Sequence, residues 1–480
     1  MTAPRKTKTR TRGKRTKRRV RLRSFIEHEF DSIDLGDERL NKRSRQILGD
    51  LYCAPGESYL SACDDWAGAK GAYRFIENEA VTTDKLLEAH RPKLIERCHD
   101  EKEILCIGDT TEICIKRPRT KGLGPLNYDG RRGFLMHPLW IVNPERLPLG
   151  IAEVRSIIRS DEELGRKHGA YRDVPLEKRE SAKWCWSLEA TSKLRDDLGT
   201  DAPLVTAIFD REGDIFRVLS TAVTERDRYR LIVRAVQKRQ RADKIGSPKV
   251  WEDLASQPLN DRITLEVQAG RNRKQRTAVL ALRWAKVVLK PPRVRAPAGA
   301  APLSEVEVYA IHVVEENPPS KSDRIEWKLF TTMPVTSLGE AKGCIDRYAC
   351  RWSIEWLFRT LKSGGAEDRQ FRSAAKLEKT IVQDMIVSFM VIYISMIRRV
   401  RPDQPCTRVF RESEWQALWT YLFEEPLPDR PPSIEEMIEF LGMIGGYPGR
   451  KGDSPPGPKV FRRAFTKLPA IERMWLIANR

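Results

Sequence analysis

The chain has 480 residues, with 87 Lys or Arg against 67 Asp or Glu, a formal net charge of +20. That length exceeds one compact core and predicts roughly two to four domains. With 40% apolar residues the chain is not too polar to fold. Its cationic excess points to a polyanionic partner whose counterions Lys and Arg displace, the alternative being a basic soluble protein with no nucleic-acid role. The nine cysteines are odd in number and form no CxxC pair. This argues against a disulfide framework or zinc site and for reduced core thiols in a cytosolic protein. No apolar stretch reads as long enough to span a bilayer: Met385 to Ile397 is short and interrupted by Ser388 and Ser395. The N-terminus lacks the apolar region of a secretion signal.

Residues 1–23 hold twelve Lys or Arg and no acid. Self-repulsion predicts a disordered basic arm, either a phosphate-binding tail or a solvated one. Residues 24–90 read as a helical module, with small residues from Ala67 to Ala72 that permit close packing. From Glu103 the pattern changes. Ile104 to Ile107 is a short apolar run ending at Gly108-Asp109-Thr110-Thr111, and Phe134 to Val142 and Leu149 to Ile158 are further strand candidates. Between about Lys178 and Leu198, Trp184, Leu188, Leu194 and Leu198 share one helical face. Pro203 to Phe209 is a strand ending at Asp210, and Tyr229 to Val236 is another. Strands, a helix and strands again predict a mixed α/β core. Residues about 237–330 read as a β-rich insertion with basic loops, through Ile263 to Val267, Ala278 to Leu289 and Val306 to Val314. Lys328 to Met333 returns to a core strand. Leu338 to Lys362 reads as one helix ended by Ser363-Gly364-Gly365, and Leu377 to Arg401 as a more apolar one. Helices with Pro-rich connections close the chain.

Asp109 and Asp210 both fall at strand ends, where rigid backbone presents a side chain to a crevice. At 100° per residue, Tyr348, Arg351, Glu355, Arg359 and Lys362 share a broad face of the third element, beside an apolar stripe of Ile354, Leu357, Phe358 and Leu361. A solvated, salt-bridged face is the alternative. Two Asp and a Glu suit hard Mg²⁺. Two such ions about 4 Å apart supply what phosphodiester cleavage needs: a nucleophilic oxygen, charge neutralisation and leaving-group stabilisation.

The run Tyr348-x-x-Arg351-x-x-x-Glu355-x-x-x-x-x-x-Lys362 matches the Tyr-Arg-Glu-Lys signature of bacterial insertion-sequence DDE transposases. Gly108-Asp109-Thr110-Thr111 and Asp210-Arg211-Glu212-Gly213-Asp214 resemble that family's two aspartate motifs. Gly71-Ala-Tyr-Arg-Phe-Ile76 and Leu35-Gly36-Asp37-x-Arg39 resemble its N-terminal DNA-binding module, and Gly445-Gly446-Tyr447 a stretch of its dimerisation region. The likeness runs from about Phe30 onward. It implies an α/β, ribonuclease H-like mixed sheet flanked by helices in a catalytic domain at 91–372, between a DNA-binding domain at 24–90 and a helical dimerisation region at 373–480. It implies that Asp109, Asp210 and Glu355 are catalytic metal ligands for Mg²⁺, with Mn²⁺ able to substitute. Tyr348, Arg351, Arg359, Lys362, Trp327 and Arg234 then contact DNA. Trp327 would stack on a flipped base, a core tryptophan being the alternative, and His137 is expected to be structural. The implied reaction is cut-and-paste transposition: cleavage at transposon-end inverted repeats through a hairpin, and joining to target DNA. The implied enzyme is a homodimer on double-stranded DNA, cytoplasmic and nucleoid-associated, with no membrane partner. A nuclease without strand transfer and a domesticated DNA-binding protein without catalysis are the competing readings.

Overall fold

The computed structural model describes residues 25–479 apart from 55–56, 64, 117–119, 127–129, 163–173, 268–274, 293–302, 321–323 and 450–455. The basic arm expected at 1–23 lies outside the described residues. A 3-10 turn at Phe25–Phe30 leads into α1 (Glu38–Cys53), α2 (Tyr59–Ala62), α3 (Trp66–Glu77) and α4 (Thr83–His99). Each of these helices starts at a side chain that accepts an otherwise orphaned backbone N–H: Asp37, Ser58, Asp65 and Thr82. In α3 the spacing of Ala69, Ala72, Phe75 and Ile76 buries one face.

The next strands are β1 (Glu103–Gly108), β2 (Thr111–Cys114), β3 (Gly124–Pro125), β4 (Arg132–Val142) and β5 (Pro148–Ile157). After α5 (Lys183–Asp197) come β6 (Leu204–Phe209), α6 (Phe216–Thr224), β7 (Arg230–Arg234) and α7 (Val250–Ser256). The sheet is completed by β8 (Asp261–Val267), β9 (Arg276–Leu289), β10 (Val306–Glu315) and β11 (Glu326–Thr331).

β1 and β2 pair antiparallel with β4 in an unchanged register, as one strand interrupted at Asp109 and Thr110. The interruption faces Pro138, which has no N–H to give the ladder. β5 pairs with β4 from its other side, while β6 and β7 run parallel to β1. The core order is therefore β5-β4-β1-β6-β7, three antiparallel strands followed by two parallel ones, which is the ribonuclease H-like mixed sheet expected. β11, β10, β9 and β8 extend the same sheet antiparallel from β7. The β-rich stretch is thus a continuation of the sheet rather than a separate body.

The C-terminal elements are α8 (Leu338–Ala349), α9 (Ile354–Ser363), α10 (Ala374–Val400), α11 (Glu412–Phe423), α12 (Ile434–Ile444) and α13 (Pro458–Ala478). Two expectations are corrected here. The single helix expected over Leu338 to Lys362 is two helices joined by a 3-10 turn at Cys350–Ser353. And α10, at 27 residues, is by length and composition apolar enough to cross a membrane, because helical residues flanking Met385 to Ile397 extend the run. Of its most apolar 18 residues 83% are buried inside the protein, however. It packs on β5, α4, α9 and α13 as a core helix. All nine cysteines are free thiols.

Candidate active site

The β1–β6 ladder ends at Ile107 paired with Ile208. The same register carried two residues on sets Asp109 beside Asp210 at the carboxyl ends of neighbouring parallel strands, which lie about 4.8 Å apart. On the far side of β6, Phe209 pairs with Val233, so Arg234 stands next to Asp210 in the same row. Arg234 donates to the Glu326 carbonyl at 3.1 Å, which ties it to β11 beside Trp327. Three predicted site residues thus come from three adjacent strands.

Helices α8 and α9 cover this row. The Arg351 guanidinium donates to Asp109 Oδ2 at 2.7 Å and lies 5.1 Å from the centre of the Trp352 ring. Its Nε is buried without a hydrogen-bond partner among the described residues. Tyr348 is buried, edge-on to Trp327 with ring centres 5.9 Å apart. Burial raises its phenol pKa, with Arg351, Arg234 and Asp210 close enough to act on it. Glu355, Arg359 and Lys362 line a cleft of about 350 Å³ with Thr110, Thr111, Glu112 and Phe358. The expected apolar stripe of Ile354, Leu357, Phe358 and Leu361 is buried.

The single functional face expected of this helix is split in two. A 3-10 turn advances about 120° per residue instead of 100°. Tyr348 and Arg351 turn in toward the aspartates, while Arg359 and Lys362 remain exposed at the cleft.

Burial pushes the Asp109 carboxyl up to about 6 against the pull of Arg351, and the charges of Asp210 and Glu355 add to the rise. Asp210 and Glu355 therefore both act on Asp109. In kind and charge the donor set fits a hard divalent cation. Among the described residues, no three His, Cys, Asp or Glu side chains are drawn together closely enough to hold one.

His137 is buried, and burial lowers its pKa to about 3, with Lys183 adding to the effect. Two residues had no assigned role in the sequence. Trp352, 57% exposed, is an aromatic off the apolar stripe, and that is its only sequence signal. Asp214 is buried and accepts the N–H groups of Val236 at 2.8 Å and Gln237 at 2.7 Å and the Arg239 Nε at 2.8 Å. It clamps the loop after β7 to the loop after Asp210, a contact no local pattern announces.

Residues 22–81 match the family described as transposase DNA-binding, and residues 386–471 match the Tn5 transposase dimerisation domain. In its two terminal modules the chain is similar to Tn5-type transposases, which supports a DNA transposase. The first match spans α1, α2 and α3, and the second runs from within α10 into α13. Among solved structures, a piggyBac transposase synaptic complex with hairpin DNA shares 11% identity, over 94% of this chain and 78% of that one. Its TM-score of 0.36 is too low to bear on the chemistry of this transposase.

Proposed function

We propose that this transposase is a cut-and-paste enzyme whose Asp109, Asp210 and Glu355 hold Mg²⁺, or Mn²⁺ in its place, to cleave transposon ends and join them to target DNA. The observation that carries the reading is the parallel register that sets Asp109 beside Asp210, with both Asp210 and Glu355 acting on a mostly buried Asp109. Divalent ions bound there would supply an ionised water oxygen and neutralise charge on the scissile phosphate.

The other residues have work that does not pass through the ions. Arg359 and Lys362, exposed at the cleft, hold backbone phosphates. Arg351 has an unpartnered buried Nε and can take a phosphate oxygen while its Nη1 stays with Asp109. Tyr348 and Arg234 fix strand position beside Asp210. Trp327, half-buried against Tyr348, offers a ring face to an extruded base in the hairpin step. The dimerisation and DNA-binding matches support a homodimer that pairs two inverted-repeat ends.

Alanine at 109, 210 or 355 is expected to abolish Mg²⁺-dependent cleavage of end DNA while end binding persists. Normal cleavage by any one of these variants overturns the assignment. Wild-type cleavage without joined products identifies a nuclease, and end binding without cleavage identifies a domesticated DNA-binding protein.

A further inference from the structure

We infer that His137 is a positioning residue for Asp109, acting through Thr110 to hold one carboxylate oxygen and leave the other beside Arg351. The inference rests on the reading of Asp109 as a metal ligand. β4 carries His137 directly opposite Thr110, at the interruption between β1 and β2. Its Nδ1 lies 2.9 Å from the Thr110 hydroxyl, and its Nε2 lies 2.8 Å from the Ser187 hydroxyl on α5. The Thr110 backbone N–H in turn donates to Asp109 Oδ1 at 2.8 Å. Hydrogen bonds thus link Ser187, His137 and the Thr110 hydroxyl, and the backbone of the same Thr110 carries the link on to Asp109 at the end of β1.

The surroundings hold that chain rigidly. His137 is 2% exposed, and its ring sits edge-on to Trp184, with centres 5.0 Å apart. A Cβ on Gly108 would meet the Ser187 hydroxyl at 3.0 Å and the Phe209 ring at 3.2 Å, so the strand lies directly against the serine. A neutral imidazole has one donor and one acceptor nitrogen, and a hydroxyl can do either. Both ring nitrogens are therefore satisfied in a buried site, where an unpaired one would be costly.

A histidine serving only the core would need two polar partners of any kind. Here one partner is the residue whose N–H is committed to Asp109. With Oδ1 held by the Thr110 N–H, Oδ2 is the oxygen left to the Arg351 guanidinium. Groups that orient a ligand from behind commonly change metal affinity or activity by about 10–100-fold when removed.

The test is direct Mn²⁺ binding to the full-length, DNA-free protein, followed by electron paramagnetic resonance, with Asp109→Ala as background. His137→Phe keeps the ring and removes both nitrogens. His137→Gln keeps a polar atom only toward Ser187, and His137→Asn keeps one toward Thr110. The expected result is Mn²⁺ binding about 10-fold or more weaker in the Phe and Gln variants, with rescue in the Asn variant. Thr110→Val, which keeps the backbone and loses the hydroxyl, should reproduce the loss even if a His137 variant fails to fold. Combining it with His137→Asn should add nothing. Wild-type Mn²⁺ affinity in Thr110→Val, or in folded His137→Phe, overturns the inference. Equal binding by wild type and Asp109→Ala instead overturns the metal-ligand reading on which it rests.

Discussion

Two carboxylate–arginine contacts in this protein use the same chemistry and have opposite electrostatic outcomes. In the joint between the N-terminal helices and the core, Glu29 receives Arg97 Nη1 at 3.1 Å and Nη2 at 2.6 Å, and His90 Nδ1 lies 2.5 Å away. Burial alone would raise its pKa, but Arg97 and then His90 hold it down to about 2. At the end of β1, Asp109 receives one arginine N–H and one backbone N–H, and burial above all, with the charges of Asp210 and Glu355, raises it to about 6. The joint is a closed account of charge, as buried ion pairs must be to persist. At Asp109 burial outweighs the arginine, and a carboxylate perturbed in this way is typical of functional sites.

The largest expected effect is at the joint. Glu29→Gln leaves Arg97 buried without its counter-charge, a change that typically costs about 3–5 kcal/mol, so thermal unfolding near neutral pH should occur at a distinctly lower temperature. The pH dependence has a definite sign. Because the folded pKa is depressed, Glu29 contributes stability above its unfolded pKa near 4.5, and that contribution is lost as pH falls toward 2. The gap between variant and wild type should therefore narrow in acid. An equal gap at pH 3 and pH 7 would show that packing, not charge, holds this joint.

Asp109→Asn should do the reverse. Its folded pKa is raised, so the folded state favours the proton, and the favourable contribution present below about 3.8 is lost as pH rises through about 6. A rise of roughly two units corresponds to on the order of 3 kcal/mol. The neutral amide, which mimics the protonated acid, should raise the unfolding temperature at pH 8 in the presence of a chelator, with no gain at pH 4. Unchanged stability at pH 8 would mean that the cleft stores no such strain.

Much of this contrast could be read from the chain only in part. The strands leading to Asp109 and Asp210 were legible because short apolar runs end at an acid, and the buried stripe of Ile354, Leu357, Phe358 and Leu361 was legible from its period. Register was not, because pairing β1 with β6 depends on packing across roughly a hundred residues, and the Arg351–Asp109 contact spans more than two hundred. The turn that splits the signature helix was also hidden. Ala349 to Ser353 contains no Pro or Gly to mark a break, and the turn coincides with the long-range contact of Arg351 with Asp109. Glu29 had no sequence signal, since its partners come from α4.

The cations differ between the two regions as the carboxylates do, and this gives the smallest and most specific prediction. Arg97 is committed to Glu29, whereas Lys362 is exposed at the cleft and has no ion pair among the described residues. A lysine that neutralises a DNA phosphate displaces counterions, and each such contact contributes about one to the slope of log K against log salt. Lys362→Ala should therefore weaken end binding uniformly across sequences and make that slope shallower by about one. Lys286 is the matched control: it lies on β9, far along the sheet, and is paired with Glu307 at 2.9 Å. Lys286→Ala should leave the slope unchanged. An equal loss at both positions would mean that the slope reports the total charge of the protein. A loss at Lys362 alone would place a phosphate beside Glu355, where the proposed chemistry needs one.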